Sequence, residues 1–498
     1  MTFNLDTPLI DLSDESRPNT YWTARNAVEG VQIFGGIGSG KTSGSGRMLA
    51  LKYLKAGFGG LVLTVKPDEK KLWQDYCALA GRSDDLIIVE PLGEHRFNFF
   101  DYEVSKTKAG ISPTDNLVQV LKTVINAERE KATDKSDDPF WENALDMLIY
   151  NTIDLCYLAH GQISAEVMYN IVQSIPKPEQ PKSQLKTDYS VALSKAKRKG
   201  HEAIVEWRKG QPTDMLTWLD DNPETLDLKY TEEIPIVREI KFISQFFTET
   251  FKDIADKTRS TIELSFTAFL FRLLRDPVYS LFCFGESTFS PDDCADGKII
   301  LLNLPVKEYH KTGRDVQIMF KYIWQRAMEK RDLSKSDRPV FLWADEAQNF
   351  LHEHDPDYQA TARSSRIATV YISQNLPNYH ANMGGNKSDY KVNSFLGTLA
   401  TKIFHANADI DTNKYASELI GDREQIDTSQ SATIAGQFSS TKTSRINVKR
   451  AIRPEIFSLL KTGGDANDRI VQGYVHLQGN VLKTNNHIMM NFNQDFKP

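Results

Sequence analysis

Val31-Gln-Ile-Phe-Gly-Gly-Ile-Gly-Ser-Gly-Lys-Thr42 is a short apolar strand that runs straight into a glycine-rich turn. Residues 41–55 then space their apolar side chains as a helix does. The last eight residues of the quoted stretch match the phosphate-binding pattern G-x-x-x-x-G-K-[ST]. Each part has a physical reason. Gly35, Gly36, Gly38 and Gly40 let backbone N–H groups turn inward around an anion, with Ile37 and Ser39 between them. The helix that follows offers its positive end to the same phosphates. Lys41 reaches the β and γ phosphates as a point charge, Thr42 offers a hydroxyl to Mg²⁺, and Ser43 closes the loop. The expected cofactors are ATP and Mg²⁺.

Working outward, residues 59–65 and 86–90 form further apolar runs between helices, which predicts a parallel sheet covered on both faces. Strand signals return at residues 298–304, 340–345, 368–374 and 401–405. Between these groups, residues 115–128, 138–159 and 164–175 show helical spacing, and residues 176–227 are polar and lysine-rich. The fold class is therefore α/β: a P-loop NTPase sheet with an inserted, mostly α-helical domain. The expected domains are a lead-in over residues 1–24, a nucleotide-binding domain in two segments (25–110 and 276–498), and an all-α insertion over 111–275. Residues 421–448, rich in Ser, Thr, Gln and Gly, read as a flexible loop or hairpin.

The second half of the chain supplies the acids that such a loop needs. Val340-Phe-Leu-Trp-Ala-Asp-Glu346 is an apolar strand ending in two carboxylates. Asp345 can hold Mg²⁺ through water and Glu346 can act as general base toward an attacking water. Strand tips are where open α/β sheets place their ligands. Gln374, at the tip of the next strand, can sense the γ-phosphate or position water. In Thr361-Ala-Arg-Ser-Ser-Arg366, Arg363 is the first choice for an arginine that stabilises transition-state charge on a neighbour's nucleotide, with Arg366 as alternate.

Bulk properties set limits. The chain has 498 residues, enough for a large α/β domain plus a second domain. Its net charge of −6 gives no global attraction to nucleic acid, so any DNA-binding charge must be concentrated locally. Cys77, Cys156, Cys283 and Cys294 form no CxxC pair and no zinc spacing, as expected of free thiols in a reducing cytoplasm. The amino terminus has no signal-peptide pattern, and no apolar run reaches about 18 residues. The expectation is a cytoplasmic protein without direct membrane insertion.

Several segments together resemble the ATPases of type IV secretion coupling proteins, the TraG/TraD conjugative DNA-transfer family within the wider FtsK/HerA group of DNA pumps. They are the P-loop, Gly59-Gly-Leu-Val-Leu-Thr-Val-Lys-Pro-Asp-Glu69, Ile88-Val-Glu-Pro91, Phe97-Asn-Phe-Phe100 and Asp138-Pro-Phe-Trp-Glu-Asn-Ala144. Further along come Arg259-Ser-Thr-Ile262, Gly297-Lys-Ile-Ile-Leu-Leu-Asn-Leu-Pro305, Trp343-Ala-Asp-Glu-Ala-Gln-Asn-Phe350, Tyr371-Ile-Ser-Gln-Asn375 and Ile452-Arg-Pro-Glu-Ile-Phe457. The resemblance implies a RecA-like fold, an all-α domain, and a hexameric ring with DNA in its channel. It also implies that Lys41, Thr42, Asp345, Glu346, Gln374 and Arg363 take the family's roles. Two departures stand out: the membrane helices usual in the family are missing, and its Asp-Pro-Lys-Gly-Glu segment reads Val65-Lys-Pro-Asp-Glu69. Three functions fit: a soluble conjugative DNA translocase, a HerA-like motor subunit of a defence or repair complex, or a secretion ATPase that moves protein. The expected partners are accordingly a membrane anchor, a secretion machine or, for the HerA-like reading, an effector nuclease. For DNA contact, the sequence offers the basic run Lys195-Ala-Lys-Arg-Lys-Gly200, or a channel loop at Asn378, Tyr379, His380 and Lys387.

Overall fold

A computed structural model describes residues 3–106, 114–129, 139–177, 186–383, 388–435, 437–483 and 485–498. The chain divides into two compact units, residues 1–89, 127–133 and 291–498 in one and 90–126 and 134–290 in the other.

The first unit is built on a nine-stranded sheet. Its strands are β3 (Val31–Phe34), β4 (Gly59–Leu63), β5 (Leu86–Val89), β6 (Ile299–Leu302), β7 (Val340–Ala344), β8 (Ile367–Ser373), β9 (Thr401–Phe404), β12 (Ile470–Leu477) and β13 (His487–Asn493). Four shorter-range strands lie outside it: β1 (Pro8–Asp11) and β2 (Tyr21–Thr23), and β10 (Asp422–Ala435) and β11 (Gln437–Arg450). Spatial order is β13-β12-β9-β3-β8-β7-β4-β6-β5. The seven strands from β9 to β5 are parallel. The β12 strand runs antiparallel to β9 and to β13. Strands β3, β4, β6, β7, β8 and β9 are buried along their whole length, which is why they read as continuous apolar runs. Trp22, Tyr53, Trp73, Phe341 and Trp343 fill the core on one side of the sheet.

The amino-terminal stretch, expected as a lead-in, pairs β1 with β2 and buries Leu9, Leu12 and Trp22 in that core. Residues 421–448 take the hairpin alternative: β10 and β11 pair antiparallel from Asp422↔Arg450 to Ala435↔Gln437. The phosphate-loop helix is not α-helical from its start. A wider π-type turn, Thr42–Gly46, precedes the α-helix Arg47–Lys55. Gly44 and Gly46 leave this turn without side chains where Val471 and Trp343 press close.

The second unit is helical. Pro139–His160 packs against Asp188–Lys209, which also packs against Pro235–Gln245, and Asp256–Leu273 packs against Ala165–Gln173. The basic run at 195–200 lies on Asp188–Lys209, where Ala196 and Gly200 face inward and Lys197 and Arg198 face solvent. Among the described residues no helix is long and apolar enough to cross a membrane. All four cysteines are buried and unpaired.

Candidate functional site

The carboxyl ends of β9, β3, β8 and β7 lie side by side, and each carries a polar group into one site. After β3 the chain makes the glycine-rich turn. Gly38 (φ 72°) and Gly40 (φ 77°) sit in the left-handed region. A Cβ on Gly40 would come within 2.4 Å of Val471 Cγ2, so this position is closed to any other residue twice over. The Gly36 N–H donates to the Ala406 carbonyl at 2.8 Å, which ties the loop to the segment after β9. Ile37 stands out into solvent, 89% exposed, at the crest of the turn.

The Thr42 hydroxyl donates to Asp345 Oδ2 at 2.8 Å, and the Glu346 N–H donates to Asp345 Oδ1 at 2.8 Å. Lys41 and Glu346 are both buried, with Nζ 4.0 Å from Oε1. Glu346 has φ of 50°, an uncommon conformation for a residue with a side chain. Its carboxylate is gripped on both oxygens: Gln374 Nε2 donates to Oε1 at 3.1 Å and Gln348 Nε2 donates to Oε2 at 2.9 Å. Ser373 Oγ donates in turn to Gln348 Oε1 at 3.0 Å. Asn407 Nδ2 donates to the Gln374 carbonyl at 2.7 Å. The structure thus brings together the P-loop, Asp345, Glu346 and Gln374, as the sequence reading expects.

Burial pushes the Asp345 carboxyl above its usual range, opposed by the Thr42 hydrogen bond and the charge of Lys66. Lys66 and Glu69, just past the tip of β4, belong to the same electrostatic cluster. Burial works against charge on Lys66, but Asp345, Glu69 and Glu346 outweigh it and hold its pKa high. Burial and the charge of Asp345 push the Glu69 carboxyl up to about 8. Glu69 Oε2 accepts the Val65 N–H at 2.8 Å, while its buried Oε1 has no hydrogen-bond partner. Sequence reasoning gave neither residue a role. The available signal was their position beyond an apolar strand; the structure pairs that strand, β4, directly with β7, which carries the acid pair.

His405 was also missed. Its Nδ1 donates to the Gln472 carbonyl at 2.8 Å, which leaves Nε2 to accept the Ser45 hydroxyl at 2.7 Å. Burial lowers its pKa to about 4. A buried neutral His is disfavoured as the imidazolium, so the unfolded chain takes up the proton first as pH falls. The stability it confers is complete above about pH 6.5 and is lost as pH falls toward 4. Between pH 7.5 and 5 this single group should remove about 2 kcal/mol of unfolding free energy. Chemical unfolding of the wild type and of His405→Asn at both values checks it. Equal pH dependence in the two proteins would count against the assignment.

The two arginines fare differently. Both precede β8, so they lie at the amino end of a strand whose carboxyl end meets the P-loop, about 20 Å of strand away. Neither can serve the nucleotide of its own chain. Arg366 is tied down: Nη1 donates to Asp337 Oδ2 at 2.9 Å and to the Phe3 carbonyl at 3.1 Å. Arg363 is exposed, and among the described residues its ion-pair partner is Glu29 at 3.4 Å. The channel-loop expectation for 378–380 is corrected. These residues lie on the helix Leu376–Met383, and Tyr379 is buried, its hydroxyl donating to Gln32 Oε1 at 2.8 Å. Lys387 lies outside the described residues.

A phosphate loop on a central parallel strand, answered by an acid pair at a nearby strand tip, defines the class: a RecA-like P-loop fold. Within it, residues 339–460 match the family model described as the TraM recognition site of TraD and TraG. The whole chain also superposes on solved structures of a conjugative coupling protein. The unbound bacterial coupling protein TrwBdeltaN70 is 12% identical with a TM-score of 0.60, covering 95% of this chain and 86% of that one. The plasmid coupling protein TrwB with ADP and Mg²⁺ gives 12% and 0.58, over 96% and 88%. Its complex with the non-hydrolysable ATP analogue ADPNP gives 13% and 0.56, over 95% and 87%. No curated protein matches the chain in sequence. The resemblance to the TraG/TraD coupling type is borne out by the fold and by residues 339–460.

Proposed function

We propose that this chain is an ATP-driven DNA translocase resembling a soluble conjugative coupling protein, cytoplasmic, and working as a hexameric ring with DNA in the central channel. The observation that carries the reading is the contact between Thr42 and Asp345 beside a doubly held Glu346. It is supported by the likeness to TrwB, whose solved complexes hold ADP with Mg²⁺ and an ATP analogue.

The residues suit a nucleotide and its metal. Ser39 Oγ is buried without a hydrogen-bond partner beside the loop, and Lys41 is a buried cation. Among the described residues no group of three or more His, Cys, Asp or Glu could hold a metal. Thr42 and Asp345 would hold Mg²⁺, which supplies charge neutralisation on the phosphate oxygens. The loop's N–H groups and Lys41 bind and orient the triphosphate. Glu346 takes a proton from the attacking water, and Gln374 holds that carboxylate in line. Arg363, too far from its own site, would act on the nucleotide of the adjacent copy. By the description of the matching family model, exposed parts of residues 339–460 would recognise a TraM-like partner.

The test is steady-state ATP hydrolysis with and without single- and double-stranded DNA, with Lys41→Ala as the blank. Hydrolysis stimulated by DNA and absent in the variant is expected. Robust hydrolysis indifferent to both DNAs would overturn the DNA reading.

A further inference from the structure

Among the described residues the ribbon formed by β10 and β11 pairs with no other strand. Fourteen residues on each side make it about 45 Å long, more than one turn of duplex DNA. Because side chains alternate across a strand, its register sorts them onto two faces. One face carries Arg423, Arg445 and Lys449. Among the described side chains, Gln425, Thr443, Asn447 and Asp427 share it.

The charge on that face is compensated only in part: of its three cations, Lys449 is paired with Asp427. Asp427 is its only acid, and Lys449 Nζ and Asn447 Nδ2 already donate to Asp427 Oδ2, at 2.8 and 2.6 Å. Arg423 and Arg445 are exposed and form no ion pair among the described residues. Arg423 stands directly across the ribbon from Lys449. Like charges opposite each other are destabilising unless an anion lies over them. The opposite face differs: Ile426, Ile446 and Val448 lie on it, near the ribbon's base.

We infer that the Arg423/Arg445/Lys449 face of the ribbon contacts the phosphodiester backbone of DNA. The inference rests on the DNA-translocase reading above and gives that reading an element of contact. The chemistry matches the need of a motor that must grip any sequence. Basic groups neutralise phosphates, while hydroxyls and amides donate to phosphate oxygens without reading bases. A protein of net charge −6 must gather such groups in one place, and here an acid-poor face does so.

The experiment is fluorescence anisotropy of labelled double- and single-stranded DNA with the full chain across a salt series. Arg423→Ala/Arg445→Ala should weaken binding roughly tenfold at low salt and make the salt slope shallower by about two. Arg423→Lys/Arg445→Lys should restore most of both, which separates lost charge from a misfolded ribbon. Binding by the unmodified chain that the Ala pair leaves unchanged in affinity and slope would overturn this inference and spare the DNA reading. Loss of affinity in both the Ala and the Lys pair would also overturn it. So would a loss confined to Ile426→Ser/Ile446→Ser and accompanied by smaller assemblies in sedimentation, since the ribbon would then be a contact between copies. No binding of either DNA by the unmodified chain would overturn both readings together.

Discussion

Glu346→Gln should lower the turnover of ATP by about 10²–10⁴-fold while leaving nucleotide binding close to that of the wild type. The substitution keeps the shape of the side chain, removes its charge and its capacity to take a proton, and exchanges one of the two accepting oxygens for an amide donor. Position is held by groups that a glutamine does not disturb. The Asn349 amide donates to the Glu346 carbonyl at 2.9 Å, and the Glu346 N–H still reaches Asp345 at 2.8 Å. Thr42 and the loop glycines, proposed to bind the phosphates, are untouched, and Lys41 loses only a carboxylate 4.0 Å away. Gln374→Ala should cost less. It frees one carboxylate oxygen of Glu346, but Gln348 still holds the other at 2.9 Å. Titration of a fluorescent nucleotide and single-turnover hydrolysis separate the two effects. A Glu346→Gln protein that hydrolyses ATP at a tenth of the wild-type rate or faster would remove Glu346 from the role of base. Loss of nucleotide binding instead would make it a structural residue.

How much of this site could be read from the chain depends on how each residue reaches it. The P-loop is local. Its strand, turn and helix are consecutive, so one window of sequence contains both the groups and the geometry that aims them. Asp345, Glu346 and Gln374 follow apolar strands directly, and a strand's end is visible wherever an apolar run stops. Their meeting with Thr42 depends on β3 and β7 flanking β8, an order no local pattern encodes. Lys66, Glu69, His405 and Asn407 also lie past strand ends, at β4 and β9, but nothing local says that those tips share the site with Thr42. The carboxyl-terminal strands β12 and β13 were not anticipated either. Residues of β12 alternate in part between buried and half-exposed, and β13 is half-exposed or exposed except at Phe492, so neither shows a continuous apolar run. The reading of 378–380 as a channel loop failed on packing. The ring of Tyr379 lies edge-on to Phe34 and its hydroxyl meets Gln32, which places it in the core behind the loop.

Lys321→Met should destabilise the nucleotide-binding unit by about 3–5 kcal/mol, far more than an average substitution. Lys321 and Asp355 form an ion pair in which both side chains are 0% exposed. Lys321 Nζ lies 2.7 Å from both carboxylate oxygens and also donates to the Phe350 carbonyl at 2.7 Å. Asp355 further accepts the His352 N–H at 2.8 Å and Gln325 Nε2 at 2.9 Å. Removing the lysine leaves a carboxylate with two donors and no cation in a dry interior, and that orphaned charge is the main cost. Removing both charges is a different matter. Lys321→Met/Asp355→Leu takes away the desolvation penalty with the attraction, so it should recover at least half of the loss. The pair also closes the loop that runs from the acid pair back to Phe350, so the single variant should lose ATPase activity per folded molecule as well as stability. Urea unfolding of the two single variants and the double variant measures the coupling directly. If Lys321→Met costs less than about 1 kcal/mol, or the double variant is no better than the single one, water reaches the pair and the buried-charge argument fails.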